Sequence, residues 1–437
     1  MAPAITDRLD TLGPSQQAAA GGVLVDRQLK YIVCAPLVGA TVLSKFSIPP
    51  LGAQGFGLIF PIIFGALLCG VFTSRLQFAW RRLVIFGVML SLLGMVQVLR
   101  GDLFSLSSVI LMAALGFSYV LTGHQVASRG SFDTGQMLEF FCNLTFFIAA
   151  AGIVQAILLL IGGPALGFPI ENLVPEAFLT QGYNNITPLF YGSPTYKANG
   201  FFMLEPSVFS QLTAIGLIAE LSYRTRLVRI AVYAGAMIVA YSGTGMLILA
   251  VALPLYIVVY RRWELLIPAA LIVSIAALLA EPLQLNVLMN RTGEFDRVGT
   301  SGFARFVAWR ELFADRLWNS PAHALFGHGA GSFVSGSVGY SAAQMSYSKI
   351  IFEFGVLGSL LYFAFIFYCI FSSRAPLMVR IAVTVCYFLN GAYSPTVTGI
   401  ALSVLLWPGG QIRPVDKQIA EAALPVPVNP SAGRHAA

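Results

Sequence analysis

Charge is scarce in this sequence. Asp, Glu, Lys and Arg make up 10% of its 437 residues, and 57% are hydrophobic. Soluble domains carry about 25% charged residues, so a large soluble globular protein is excluded. Cysteine is sparse as well. Cys34, Cys69, Cys142, Cys369 and Cys386 all lie inside apolar runs, which argues against a disulfide framework or a zinc site. No DxD, HExxH or P-loop pattern occurs, so nothing supports metal-dependent or ATP-driven chemistry, and no cofactor is expected. No internal repeat suggests the inverted halves of a transporter. The first thirty residues are polar and lack a cleavable signal pattern, so the first apolar run reads as a retained anchor.

What the sequence does have is long apolar runs. A bilayer-crossing helix needs about 20 mostly apolar residues. Twelve runs qualify with soft edges: 31–47, 56–73, 82–99, 105–122, 138–161, 203–222, 227–242, 244–260, 264–280, 347–371, 376–391 and 395–408. Strands of a barrel would be about 10 residues long with alternating pattern. The expected fold is therefore an all-α integral membrane protein with about twelve transmembrane helices in a membrane domain spanning 31–408. Basic residues orient it. With residues 1–30 as a cytoplasmic tail, the turns RLQFAWRR, YRTRLVR, RRW and SRAPLMVR all fall inside, as the positive-inside rule requires. An even number of spans places both termini in the cytoplasm, and 409–437, rich in Pro and Ala, reads as a disordered tail. The net charge of +7 thus reports membrane orientation, and no nucleic-acid partner is expected.

Two long segments remain outside, about 161–202 and about 281–346. In a bacterial inner membrane they face the periplasm. The second holds Arg291, Arg297, Arg305, Arg310 and Arg316, balanced by Glu281, Glu294, Asp296, Glu311 and Asp315. Phe306, Trp309, Phe313 and Leu317 recur there at helical intervals, with Thr300 or Ser301 able to cap. That pattern predicts an amphipathic helix on the membrane surface, aromatics toward lipid. Its arginines would sit at headgroup depth, where guanidinium forks bind phosphate oxygens in pairs. A solvated loop with local ion pairs explains the same charges.

The stretch GFFMLEPSVFSQL places Glu205 before Pro206, and Pro suits the first position of a helix. Glu205 reads either as a helix-start residue or as a carboxylate with a task, because an acid at the edge of an apolar slab needs a partner. Lys197 is the expected partner. In SYSKIIFEFGVLG, Lys349 and Glu353 are four apart and share one helix face. They read as a structural ion pair or as a functional lining within the span. The glycines of GHGAGSFVSGSVG suit a mobile cover or an ordinary loop.

Taken in order, these pieces resemble the O-antigen polymerase and ligase family. KANGFFMLEPS is similar to that family's R-x-x-G-hydrophobic-x-x-E-P-S segment, with Lys197 where arginine is common. YSGTGMLILAVALPLYIVVYRR resembles its S-R-T/G-x-G helix, without the arginine. TSGFARFVAWRELF followed by HALFGHGAGSF resembles its outer-loop helix and glycine turn, and FEFGVLG resembles its E-x-G-x-x-G. The likeness covers roughly Lys197 to Phe371 and lies closest to exopolysaccharide repeat-unit polymerases. It implies a membrane glycosyltransferase that uses neither metal nor nucleotide sugar, with a polyprenyl-pyrophosphate-linked oligosaccharide as donor. The acceptor would be another lipid-linked glycan in a polymerase, or lipid A core in a ligase. A chain-length regulator or an export complex would be a further partner. One departure matters: family ligases carry a His-Asn pair about nine residues before the E-x-G, and that register holds Gln344 and Met345 here.

On this reading Arg305 and Arg310 hold the leaving pyrophosphate, with Arg291 and Lys197 as further candidates. Glu205 is the base or the group that positions the acceptor hydroxyl. Lys349 and Glu353 are substrate-lining candidates. A flippase for the same glycans is the competing class. Charges within the spans, Lys45, Lys349 and Glu353, sit near the outer ends, which favours a one-sided site over a pathway.

Overall fold

Every one of the twelve apolar runs contains a helix. The computed structural model of the chain describes residues 26–49, 56–100, 105–124, 132–190, 192–281, 284–285, 293–333, 342–391 and 393–408. The tails at 1–25 and 409–437, Arg291, and the half of the glycine stretch at 334–341 lie outside the described residues.

The chain opens with α1 (Arg27–Thr41), started by Asp26, whose side chain accepts from the Leu29 amide at 3.1 Å. A short ribbon, β1 (Ser47–Ile48) with β2 (Phe56–Gly57), leads to α2 (Ile59–Phe72). β3 (Leu76–Phe78) precedes α3 (Trp80–Arg100), and α4 (Leu106–Val120) runs into β4 (Leu121–Gly123), which pairs antiparallel with β3. The long α5 (Thr134–Gly167) begins with a reciprocal cap between Asp133 and Gln136, which satisfies two orphan amides at once. It kinks at Gly163, before Pro164, and ends against the short α6 (Pro169–Leu173). Then follow α7 (Pro206–Tyr223), α8 (Leu227–Val239), α9 (Gly243–Tyr260) and α10 (Leu266–Leu278). Three short pieces, α11 (Ser301–Phe306), α12 (Ala308–Leu312) and α13 (Pro321–Phe326), precede α14 (Ser346–Phe371), α15 (Leu377–Phe388) and α16 (Pro395–Ile400), the last extended by a widened turn over Ala401–Leu406.

Among the described residues, four helical stretches are long and apolar enough to cross a membrane: Trp80–Val98, Thr134–Leu173, Gly243–Tyr260 and Ser346–Phe371. Six shorter apolar helices accompany them. Helix α10 buries none of its residues although nearly all are apolar. Such a helix has no solvent but lipid, since an apolar surface of that extent is avoided in water. The chain has the make-up of an all-α membrane protein.

Helix α7 is the packing centre. From Phe209 to Leu221 every residue is buried, against α5, α8, α9 and α15. Its crossing with α9 is close because Gly245 has no side chain: a Cβ there would stand 2.3 Å from the Ser210 carbonyl oxygen. This contact brings the start of α9 beside the start of α7.

The surface helix expected across Phe306 to Leu317 is corrected by the structure. Thr300 does cap it, accepting from Phe303 N at 3.3 Å. The helix then breaks at Val307, and Phe313–Leu317 forms a widened turn. Phe313 and Leu317 are buried, packed with Phe303, Leu312, Phe333 and Phe352. The aromatic face meets α14, not lipid, because a protein surface of matching apolar residues lies within reach.

The glycine turn also has a tighter role than a mobile cover in its described half. His328 N donates to Phe352 O and Gly329 N to Glu353 O, both at 2.9 Å. Those carbonyls are free because α14 is interrupted at Gly355, where φ is 69° and ψ is −173°. The chain at Gly327 lies directly on this break.

Candidate functional site

The residues from Asn199 to Glu205 reach their places through one buried glutamine. Gln155, in the middle of α5, accepts from the amides of Asn199 at 2.8 Å and Phe201 at 3.2 Å. Its own amide donates to Asn199 Oδ1 at 3.0 Å. This latch fixes a turn in which Gly200 and Phe201 both have positive φ, 67° and 63°. Glycine tolerates that region, whereas phenylalanine in it is strained. The strained turn delivers Glu205 to the start of α7 in extended conformation, with Pro206 at the first helical position as expected.

Glu205 does not cap its own helix. Oε1 accepts from the Asn184 amide at 3.2 Å and Oε2 from Ser207 Oγ at 3.0 Å. Its ion-pair partner is Arg305, with Nη2 3.8 Å from Oε2. The expectation named Lys197 for that pairing; Lys197 lines the same cavity. Arg305 is held from the far side by α14, since Tyr347 Oη donates to the Arg305 carbonyl at 2.5 Å. The Ala343 amide bonds the Ala304 carbonyl at 2.8 Å. Both ends of the pair are three-quarters or more buried, at 24% and 21% side-chain exposure for Arg305 and Glu205.

The pair stands in the shared wall of two cavities. The smaller, about 330 Å³, is lined by Lys197, Glu205, Glu294, Arg305 and the hydroxyls of Thr187, Ser207, Ser242, Thr244 and Ser301. The larger, about 690 Å³, also has Glu205, Ser207 and Arg305 in its wall. Its other lining is uncharged: polar and aromatic residues, including Gln181, Tyr183, Gln211, Gln344, Asn390 and Tyr393, stand among aliphatic ones such as Leu111 and Val208. Asn390 Nδ2 donates to Gln211 Oε1 at 2.8 Å, which sets the orientation of both amides. Tyr183 is partly open to this cavity. Surrounding protein pushes its phenol above the usual range, and the Glu205 carboxylate adds to that.

The structure separates the remaining candidates. Arg310 follows the break at Val307 and is exposed, its guanidinium 5.7 Å from the centre of the Trp309 ring. It lines neither cavity. Lys349 and Glu353 form a buried ion pair, Nζ to Oε1 2.5 Å. They also lie outside both cavities, and Glu353 Oε1 accepts from the Phe333 amide at 3.4 Å. Their place is under the glycine turn, which they hold to α14. Arg291 lies outside the described residues.

Sequence reasoning marked the start of α9 only as a family-like motif and assigned no site residue to it. Ser242 and Thr244 are 3.1 Å apart through their hydroxyls, and Thr244 Oγ1 donates to Ser207 O at 3.1 Å. The signal was present in YSGTG, a run of small and hydroxyl residues opening an apolar helix. Gln211 and Asn390 gave none, since each is a single polar residue in an apolar run. Comparison with protein-family models, with curated proteins and with solved structures finds no match.

Proposed function

We propose that the chain polymerises lipid-linked polysaccharide repeat units at the outer face of a bacterial inner membrane, with about twelve crossings and segments 161–202 and 281–346 in the periplasm. The observation that carries this reading is the Glu205–Arg305 pair standing between two chemically different cavities. The smaller cavity offers Lys197 and Arg305 with a ring of hydroxyls, a donor set for the pyrophosphate of a lipid-linked glycan. The larger offers side-chain amides and the hydroxyls of Tyr183 and Tyr393, which donate to and accept from sugar hydroxyls.

In this mechanism an acceptor hydroxyl oxygen attacks the anomeric carbon of the donor sugar. The new C–O bond forms as the bond from that carbon to the pyrophosphate oxygen breaks. Arg305 and Lys197 take up the charge developing on the leaving group, and the hydroxyl proton passes to Glu205. At 3.8 Å, beyond hydrogen-bond distance, the resting ion pair is a loose contact. A bidentate guanidinium–phosphate contact is stronger. Donor binding therefore draws Arg305 toward the phosphates and frees the carboxylate to act as base. The ligase reading lacks its imidazole, because the register expected to hold it places Gln344 in the larger cavity.

The test is transfer by purified protein acting on a synthetic polyprenyl-pyrophosphate repeat unit. The wild-type chain should yield longer lipid-linked glycans and free polyprenyl pyrophosphate. Arg305→Ala and Glu205→Ala should yield neither. Unchanged chain length and yield in both variants would overturn the proposal.

A further inference from the structure

We propose that the chain carries a second anion site, built for a phosphate group, at the end of the bundle remote from the Glu205–Arg305 pair. This inference does not depend on the polymerase reading. Helix α14 connects the two ends. It begins at Ser346, beside Arg305 through Tyr347, and ends at Phe371, 26 residues of helix broken at Gly355. Beyond it Ser372, Ser373 and Arg374 border a cavity of about 400 Å³. The paired strands β3 and β4 and the last turn before Pro408 complete the walls. Its size lies within the roughly 300–1,000 Å³ of small-ligand sites.

Arg82, near the start of α3, lines this cavity and is only 7% exposed. Among the described residues no carboxylate pairs with it. Arg75, close by in the sequence and equally buried, has Asp26. A buried guanidinium without counter-charge is costly. Its nitrogens are unevenly used. Nη1 donates to the carbonyls of Tyr119 and Leu121, both at 3.4 Å, so it caps the end of α4 with long bonds. Nε donates to Ser372 Oγ at 3.2 Å. Nη2 has no hydrogen-bond partner among the described residues. These bonds account for Nη1 and Nε and leave Nη2 to another acceptor.

A second observation is independent of Arg82. Ser373 Oγ is buried with no hydrogen-bond partner, although Ser373 lines the cavity. Buried hydroxyls are otherwise satisfied, so an acceptor is missing here as well. Arg374, exposed, and His124, at the end of β4, border the same space. Two guanidinium groups, an imidazole and the Ser373 hydroxyl around one cavity match the several oxygens of a phosphate, which accept from more than one fork. The phosphate belongs either to a lipid headgroup or to a soluble phosphate, and binding separates the two sources.

The experiment measures equilibrium binding to the full chain in an Arg305→Ala background, so that the outer cavity contributes little. One arm titrates radiolabelled inorganic phosphate into protein in neutral detergent. The other counts lipid retained by protein in bilayer discs of phosphatidylglycerol against discs of phosphatidylcholine. Binding in the first arm identifies a soluble phosphate. Selective retention of phosphatidylglycerol with no binding in the first arm identifies a headgroup. Either result supports the site if Arg374→Gln, an exposed substitution that leaves the fold intact, weakens it by about tenfold or more, the loss expected for one charge-assisted contact. Ser373→Ala should weaken it in the same direction. No binding in either arm, or binding unchanged by Arg374→Gln and Ser373→Ala alike, overturns the proposal.

Discussion

Glu205 Oε2 and Arg305 Nη2 stand 3.8 Å apart in a wall common to two cavities. The carboxylate is also held by Ser207 and the Asn184 amide, so neutralising it should leave the turn in place. Glu205→Gln should therefore keep the thermal stability of the wild type while slowing glycan transfer by about 10²–10⁴-fold, the contribution of a positioned base. Arg305→Lys keeps the charge but loses the planar fork, and should retain partial activity with weaker donor affinity. Transfer assays with a lipid-linked repeat unit, read beside unfolding temperatures, check both. A Gln variant with wild-type turnover would remove Glu205 from the chemistry.

The break in α14 makes a stability prediction. At Gly355, φ 69° and ψ −173° fall in a region that only glycine occupies freely, and an added Cβ would meet the Leu325 backbone at 2.4 Å. Gly327 faces it with φ 76° and a Cβ position 2.3 Å from Glu353 O. Either Gly→Ala change should cost about 1–3 kcal/mol from backbone strain alone, with overpacking added. Gly94→Ala, in α3 with open space around it, should instead stabilise by up to about 1 kcal/mol. Unfolding temperatures in detergent compare the three.

The helices were legible because the apolar runs are long and the polar residues between them are few. Glu205 and Arg305 were legible as unusual charges at the edges of apolar runs. Their pairing was not, since the turn that aims Glu205 depends on Gln155, an isolated amide deep in an apolar helix. Arg310 shares the segment of Arg305 and looked equivalent. The break at Val307 sends it over Trp309 instead, and periodicity carries no sign of that break. Lys349 and Glu353 have helical spacing whether they line a cavity or clamp a loop. Only the Phe333 amide on Glu353 distinguishes the second role.

Glu220 is a buried carboxylate at the other end of α7, with no exposed side-chain surface. Arg226 Nε lies 2.5 Å from Oε1 and Arg229 Nη1 3.6 Å from Oε2. Removing the acid leaves two partly buried cations facing each other. Glu220→Ala should cost about 3–5 kcal/mol, the usual loss when one partner of a buried pair is deleted. Arg262→Ala breaks the exposed pair with Glu264 and should cost about 1 kcal/mol or less. Equal unfolding temperatures for the two variants would show that the Glu220 cluster contributes no more than a surface pair.

The orientation proposed for the bundle rests on its arginines and has its own test. Ser301 and Arg81 are both exposed, one beside the Glu205–Arg305 cavities and the other in the first turn of α3. Of the five cysteines only Cys69 is exposed, so a Cys69→Ser background leaves the protein silent to a thiol reagent. In that background Ser301→Cys should react with a membrane-impermeant maleimide in cells whose outer membrane has been opened. Arg81→Cys should react only after the inner membrane is broken. The positive-inside rule requires this order, because the turns that flank Arg81 carry the excess of arginine. The reverse order would place the two cavities in the cytoplasm, where a polymer could not be released outside the cell.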